Sequence, residues 1–214
     1  MGGVAQWSIV VPAKRLAVAK TRLRPLTESL GGSAHDELVL ALLSDTVAAA
    51  LACPAVAEVV VVTDDPAAAD VVGRLGADTL DDEPDRGLNP ALEHGARHVS
   101  LPAVAALSSD LPALRPAELA AALRAAEAAP RCYVPDADGT GTTLLTALGT
   151  PLLPRFGPAS AQAHRDGGAV ALSGDWPGLV RDVDTADDLG AALLLGAGPR
   201  TTSFARTSGR HLPR

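Results

Sequence analysis

Positively charged side chains with the chemistry of phosphate ligands are concentrated near the start of the sequence. The chain has only two lysines, Lys14 and Lys20, against sixteen arginines, and Arg22 lies two residues beyond the second lysine. A lysine ammonium is a compact, strongly hydrated charge that suits phosphate oxygens. These cations follow a strand-like run, Trp7–Val11, and α/β sheets bind ligands at the carboxyl ends of their strands. The stretch therefore predicts a phosphate-binding loop, although a solvated basic turn would show the same charges.

Carboxylates follow two later strand-like runs. Asp110 comes after a run of Val, Ala, Leu and Ser, and Pro112 prevents a simple continuation into a helix. Asp182 and Asp184 are alternate residues, which on a strand would face the same side and could bind one hard cation. Together with the lysines, these carboxylates suit nucleotidyl transfer, in which Mg²⁺ neutralises a triphosphate while a substrate phosphate attacks in line. The alternatives are that Asp110 is a turn or capping residue and that Asp184 caps the following helix.

Two loops could bind a second anion. The Gly139–Thr142 loop is rich in glycine and threonine, and its backbone N–H groups and hydroxyls could cradle a phosphate or a carboxylate. The segment Phe156–Ser160 is a weaker signal of the same kind. His164 follows it by four residues, but spacing alone favours a satisfied surface histidine, and helix surfaces also accommodate His35, His94 and His98.

The elements that must position these residues alternate between strand and helix up to about residue 135. Asn89-Pro90 is typical of a helix start, with an asparagine cap and a proline in the first turn. The alternation predicts an α/β fold, a three-layer, mostly parallel Rossmann-like sheet. We expect one domain over residues 1–196. Residues 197–214 hold four arginines and no acidic residue among Gly, Pro, Ser and Thr, and predict a disordered tail.

Composition excludes several classes of function. The net charge of −7 and an aromatic content of 2% argue against nucleic-acid binding. The sequence contains no apolar run long enough for a membrane span. It also lacks a Walker-type phosphate loop and a Gly-x-Gly-x-x-Gly motif after the first strand. Cys53 and Cys132 fit no metal spacing and are expected to be buried, reduced thiols of a cytoplasmic protein.

Taken together, the motifs resemble those of the 2-phospho-L-lactate and phosphoenolpyruvate guanylyltransferases, the CofC/FbiD family. These small nucleotidyltransferases of the glycosyltransferase-A type make the guanylylated precursor of coenzyme F-420. The superfamily's glycine-rich signature after the first strand is absent here, and the family's lysine- and arginine-bearing version stands in its place. The matching segments follow the family's order: Pro12–Leu16 with Ala19–Leu23, Val61–Thr63, Leu88-Asn89, Asp110–Pro112, Gly139–Thr142, Phe156-Gly157 with Ser160 and His164, and Asp182–Thr185.

The resemblance implies a role for each matching residue. Asp110 and Asp182 would hold the divalent metal, expected to be Mg²⁺, and Asp110 and Lys20 would be the catalytic residues. The side chains and backbone that would hold the three-carbon phospho-acid are Thr142, Gly157 and Ser160. The residues that would contact GTP are Lys14, Lys20 and Arg22 at the phosphates and Asn89 near the nucleoside.

The implied reaction moves GMP from GTP to phosphoenolpyruvate and gives enolpyruvyl-diphospho-5'-guanosine and pyrophosphate. The expected partners are these small molecules, without nucleic acid or membrane, and a downstream transferase that accepts the product. Alternatives remain open: 2-phospho-L-lactate as acceptor, a molybdopterin or sugar-phosphate nucleotidyltransferase, or a nucleotide-binding regulatory module without catalysis.

Overall fold

The computed structural model describes residues 5–16, 19–83 and 85–208. Its strands are β1 Trp7–Pro12, β2 Val56–Val62, β3 Asp78–Leu80, β4 Ala103–Leu107, β5 Arg131–Pro135, β6 Thr142–Leu148 and β7 Val170–Ala171. Its α-helices are α1 Arg24–Thr27, α2 Ala34–Leu51, α3 Pro66–Gly73, α4 Leu88–His98, α5 Pro116–Ala126, α6 Ser160–Asp166, α7 Pro177–Val180, α8 Ala186–Leu195 and α9 Pro199–Ser208.

Within the described ranges, the strands form one seven-stranded sheet in the order β3-β2-β1-β4-β6-β5-β7. All neighbouring strands pair in parallel except those of β6, which runs antiparallel to both β4 and β5. The sheet is therefore mixed but mostly parallel. The reversal arises because β5 and β6 are joined directly by the short 136–141 segment, which leaves no room for the crossover helix that a parallel connection needs.

The core lies on both faces of the sheet. The alternate residues Trp7, Ile9 and Val11 of β1 pack in the cluster that includes residues of α2, α3, α5 and α7. Val10 points to the opposite face and packs in the cluster formed with α4 and α6. A strand covered on both faces reads as a continuous apolar run, which explains why β1 and β2 are rich in Val and Ile. This arrangement gives the predicted three layers.

The C-terminal segment is a helix packed on the body of the protein over residues 199–208, so the prediction of a disordered tail was wrong there. Asp45 of α2, only 5% exposed, accepts hydrogen bonds from the backbone N–H groups of Arg200 (3.1 Å) and Thr201 (2.8 Å). Its carboxylate satisfies orphan donors at the N-terminus of α9 and interacts favourably with the helix dipole. Phe204 packs against the apolar cluster of α2 and α8. Residues 209–214 lie outside the described residues.

Cys53 and Cys132 are buried free thiols, as predicted. In the described part of the chain, no helix combines the length and apolar character needed to cross a membrane.

Candidate active site

A cleft of about 380 Å³ opens at the carboxyl ends of β1 and β4. Its walls include the basic stretch after β1, the Ser108–Asp110 segment after β4, and Asp184 and Phe156. The predicted loop and the predicted acidic strand ends therefore meet in one place, because parallel neighbouring strands end at the same edge of a sheet.

The centre of the cleft is an ion-pair network around Lys20. The Lys20 ammonium donates to the carboxylates of Asp110 and Asp184, and its Nζ lies 2.5 Å from Asp184 Oδ1. Burial by itself would lower the pKa of Lys20, but the two carboxylates outweigh burial and raise that pKa above its usual range. The side chain is 18% exposed, so the fixed positive charge is almost enclosed yet reachable from the cleft.

The backbone at Lys20 is left-handed, with φ 46° and ψ 43°. This conformation costs a non-glycine residue about 1–3 kcal/mol, and such costs cluster at functional sites. Two contacts support the turn: Leu23 N–H donates to the Lys20 carbonyl at 2.9 Å, and His35 Nε2 lies 2.9 Å from the preceding Ala19 carbonyl oxygen. His35 is therefore buried beneath the basic stretch rather than on a helix surface as predicted.

Asp182 adds a third carboxylate to this centre. Burial and the neighbouring Asp110 carboxylate raise the pKa of Asp182 to about 7, with Asp184 adding to the effect and Lys20 opposing it. For Asp184 the balance is the reverse: burial opposes ionisation, but Lys20 and Arg22 lower its pKa. Three carboxylates, those of Asp110, Asp182 and Asp184, thus share one centre with the Lys20 ammonium.

Backbone and buried hydroxyl contacts hold these carboxylates together. Val183 N–H donates to the Asp110 carbonyl at 3.1 Å and so ties the two acidic segments directly. Leu111 N–H donates to Thr46 Oγ1 of α2 at 2.9 Å. Segment 181–184 belongs to no strand, contrary to prediction, because its backbone bonds to the end of the β4 loop instead of a neighbouring strand.

Asp184 is not the cap of α8. Thr185 fills that position: its hydroxyl accepts from Asp188 N–H, and the Asp188 carboxylate accepts from Thr185 N–H. This capping box satisfies the helix start from within the helix. Asp184 pairs with Lys20 instead. The alternative that Asp184 caps the following helix is therefore excluded.

The remaining cations of the basic stretch differ in their contacts. Arg15 pairs with Asp64 at 2.9 Å and so ties the loop to the end of β2. Arg22 lies 3.9 Å from Asp184 and its side chain is 76% exposed, while Lys14 is exposed at the rim. Both Lys14 and Arg22 line the cleft. The structure therefore brings the three predicted phosphate ligands to one cavity.

Asn89 makes a different contact from the one expected. It lies inside α4 rather than capping it, and its amide bonds twice to the backbone of Phe156, donating to the carbonyl at 3.0 Å and accepting from the N–H at 2.7 Å. Phe156 lines the cleft. The Asn89 side chain thus fixes one wall of the cavity.

The predicted acceptor residues lie together next to the β4 end of the cleft. Ser108 N–H donates to the Thr143 carbonyl at 2.9 Å, which places Thr142 beside the Ser108–Asp110 segment. Thr142 Oγ1 is 2.9 Å from His164 Nδ1 of α6, and both residues are buried. Ser160 begins α6 and its N–H donates to the Gly157 carbonyl at 3.1 Å. Gly157 has φ 135°, a backbone conformation that favours glycine.

The Gly139–Thr142 loop does not offer the free cradle predicted for it. The Asp136 carboxylate accepts from Thr140 N–H at 2.9 Å and from Gly141 N–H at 2.8 Å. A Cβ at Gly141 would lie 2.3 Å from Asp136 Oδ2, so a side chain there would displace the carboxylate that organises the loop. These two donors shape the loop and are not free to bind a ligand.

Sequence reasoning missed the contacts by which His35 and Thr46 support the site, and it undervalued His164. Each acts on a segment distant in sequence, so spacing carried no signal for His35 or Thr46. Within the described ranges, no three or more His, Cys, Asp or Glu side chains are arranged to hold a metal ion.

Comparison with known proteins confirms the resemblance. Residues 7–211 match the model of the family described as guanylyl transferase CofC like. The chain is 71% identical to a phosphoenolpyruvate guanylyltransferase of Geodermatophilus obscurus over 206 residues, covering 95% of this chain and 96% of that protein. It is 57% identical to a protein of the same description from Salinispora arenicola over 205 residues, covering 94% of each.

The fold prediction is confirmed as well. A nucleotidyl transferase structure from Methanothermobacter thermautotroptrophicus superposes with a TM-score of 0.62 at 21% identity, covering 94% of this chain and 99% of that one. At this identity the likeness concerns the fold alone. The sequence match over nearly the whole length goes further, and the chain belongs to the guanylyl transferase CofC-like family.

Proposed function

We propose that this protein transfers GMP from GTP to the phosphate of phosphoenolpyruvate. An oxygen of the acceptor phosphate forms a bond to the α-phosphorus of GTP, and the bond from that phosphorus to the bridging oxygen of the β-phosphate breaks. The products are enolpyruvyl-diphospho-5'-guanosine and pyrophosphate. Family membership and the activity named for the 71% identical relative support this reaction.

The observation that carries the proposal is the position of Lys20 in the cleft. Its ammonium is almost enclosed, lies between two carboxylates, and shares a cavity with Lys14 and Arg22. A triphosphate in this cavity would meet three cations from one short stretch of chain. Cations fixed before the reaction stabilise charge on the transferred and departing phosphate oxygens without reorganising during it.

The same centre fits a divalent cation. Asp110 and Asp182 would hold Mg²⁺, since the two carboxylates are close enough that Asp110, after burial, contributes to raising the pKa of Asp182. When bound, Mg²⁺ would neutralise triphosphate charge and polarise the α-phosphoryl group. Carboxylate oxygens are the ligands that this hard cation prefers.

The chain's own residues would supply position rather than a strong base. A phosphate monoester is already anionic at neutral pH, so the acceptor needs no proton removed by the protein before it attacks. Thr142, Gly157 and Ser160 would hold the acceptor beside Asp110, and Asn89 would act near the nucleoside through the Phe156 wall. Orientation of two bound reactants is itself a large contribution to rate.

The product contains a phosphoanhydride bond, and breaking this bond can drive a second transfer of the enolpyruvyl phosphate group. We place the reaction in coenzyme F-420 biosynthesis, in the cytoplasm where GTP and phosphoenolpyruvate occur, with a downstream transferase consuming the product.

The test is a matrix of nucleotides and acceptors with pyrophosphate release as the readout. GTP, ATP, CTP and UTP are each combined with phosphoenolpyruvate, 2-phospho-L-lactate and sugar phosphates in the presence of Mg²⁺. We expect release with GTP and phosphoenolpyruvate. Faster release with phospholactate or a sugar phosphate would reassign the acceptor, and GTP binding without release from any acceptor would favour the regulatory alternative.

A further inference from the structure

His164 lies beneath the proposed acceptor site, where it contacts two separate segments. It is 2% exposed on α6, and its ring packs edge-on against Phe156 with centroids 5.1 Å apart. Both ring nitrogens have partners: Nδ1 faces Thr142 Oγ1 at 2.9 Å and Nε2 faces the backbone nitrogen of Arg155 at 2.9 Å. Because both nitrogens have fixed partners, these partners determine which nitrogen of the neutral ring carries the proton.

The backbone partner decides which arrangement that is. The N–H of Arg155 can only donate, so His164 Nε2 must be the accepting nitrogen. The proton of the neutral ring therefore resides on Nδ1 and is donated to Thr142 Oγ1. Burial, aided by the Arg155 charge, lowers the pKa of His164 to about 4, so the ring is neutral at physiological pH.

The consequence concerns the hydroxyl of Thr142. Because its oxygen accepts the His164 Nδ1–H bond, the hydroxyl keeps its own proton to donate elsewhere. Thr142 begins β6 beside the Ser108–Asp110 segment, at the edge where the acceptor would bind. An anionic oxygen of a phosphate or carboxylate is a good partner for such a directed donor.

We propose that His164 is a positioning residue that holds the Thr142 hydroxyl as a hydrogen-bond donor to an anionic oxygen of the acceptor. The inference rests on the proposed function, in which the acceptor binds next to Thr142. His164 itself touches no reacting atom. Its role is to exclude the opposite orientation, in which Thr142 would donate to the ring and present only lone pairs to an anion.

Two substitutions separate this role from simple support of the loop. The amide of glutamine reaches the Nε2 position, so His164→Gln keeps an acceptor for Arg155 N–H and removes the donor to Thr142. The amide of asparagine reaches the Nδ1 position, so His164→Asn keeps the donor to Thr142 and removes the acceptor. If His164 only anchored the loop, His164→Asn would be the more damaging change.

We expect His164→Gln to raise the KM for phosphoenolpyruvate about tenfold, the value of one hydrogen bond, with the KM for GTP changed by less than about twofold. Thr142→Val should show the same change, and the double variant His164→Gln/Thr142→Val should be no worse than Thr142→Val alone. His164→Asn should raise the KM for phosphoenolpyruvate less than His164→Gln does, because it keeps the donor to Thr142. Additive losses, equal effects on both substrates, or greater damage from His164→Asn would overturn the proposal.

A measurement on the wild-type chain keeps the proposal testable if a variant folds poorly. Nitrogen-15 NMR of histidine-labelled full-length protein at pH 7 should show His164 protonated at Nδ1 and unprotonated at Nε2. The opposite tautomer would overturn the proposal whatever the kinetics. Absence of pyrophosphate release from the wild type with phosphoenolpyruvate would instead refute the proposed function, while the tautomer would still decide the hydrogen-bond direction.

Discussion

Replacing Lys20 with methionine removes a positive charge while keeping most of the side-chain length. Lys20 belongs to the loop after β1, whereas Thr142 lies on β6, and β4 separates these strands in the sheet. Lys20 shares its cavity with Lys14 and Arg22, the other cations proposed to meet the triphosphate, so we expect its charge to act mainly on GTP. Lys20→Met should therefore raise the requirement for GTP and leave that for phosphoenolpyruvate little changed.

The size of the effect follows from the interaction lost. A hydrogen bond to a charged group contributes about 1.5–3 kcal/mol, which corresponds to about 10- to 150-fold in kcat/KM for GTP. The change should also leave Asp110 and Asp184 without their shared cation. Because Asp184 is 47% exposed, water screens part of that loss, and the free energy of unfolding should fall by about 1–2 kcal/mol.

The assay is steady-state pyrophosphate release with each substrate varied in turn, accompanied by urea unfolding. Arg74→Met is a matched control, because Arg74 is an exposed cation paired with Asp70 one helical turn away. If Lys20→Met changed the KM for phosphoenolpyruvate as much as that for GTP, or left kcat/KM for GTP near wild type, the assignment of Lys20 to the triphosphate would be refuted.

Three further predictions concern Asp110, α9 and His164. Asp110→Asn should abolish pyrophosphate release while circular dichroism shows an unchanged fold, with exposed Asp78→Asn as control; near-full turnover would remove Asp110 from the mechanism. Asp45→Ala removes two charge-assisted hydrogen bonds to the start of α9. It should therefore lower the free energy of unfolding in urea by about 2–4 kcal/mol and increase hydrogen exchange in α9. Unchanged exchange would contradict the capping role of Asp45. Because the pKa of His164 is lowered from 6.5 to about 4, its stabilising effect is complete above pH 6.5 and declines as the pH falls toward 4. Between pH 7 and 4.5 the wild type should lose about 2 kcal/mol relative to His164→Gln, and a constant difference would refute this.

Much of the site could be predicted because its signals are local in sequence. The two lysines are six residues apart, and Asp110 directly follows a recognisable strand. The start of α8 is also determined locally, because its capping box involves residues three apart. Where a residue type and its immediate neighbours determine the structure, the sequence contains the information.

The features that sequence reasoning missed depend on partners far along the chain. The helix at 199–208 is polar, but it is anchored by Asp45, more than 150 residues away. The Gly139–Thr142 loop looked free because nothing in its spacing shows that Asp136 folds back onto its N–H groups. The orientation of His164 likewise depends on Arg155 and Thr142, which meet only in the folded chain.

The central claim is that the cleft around Lys20 and Asp110 transfers GMP from GTP to phosphoenolpyruvate. The most direct measurement is release of pyrophosphate by the purified full-length chain with Mg²⁺, GTP and phosphoenolpyruvate, with the guanylylated product identified by mass. We predict stoichiometric pyrophosphate and enolpyruvyl-diphospho-5'-guanosine from the wild type and neither from Asp110→Asn. Failure of the folded wild type to release pyrophosphate from this pair of substrates would contradict the account.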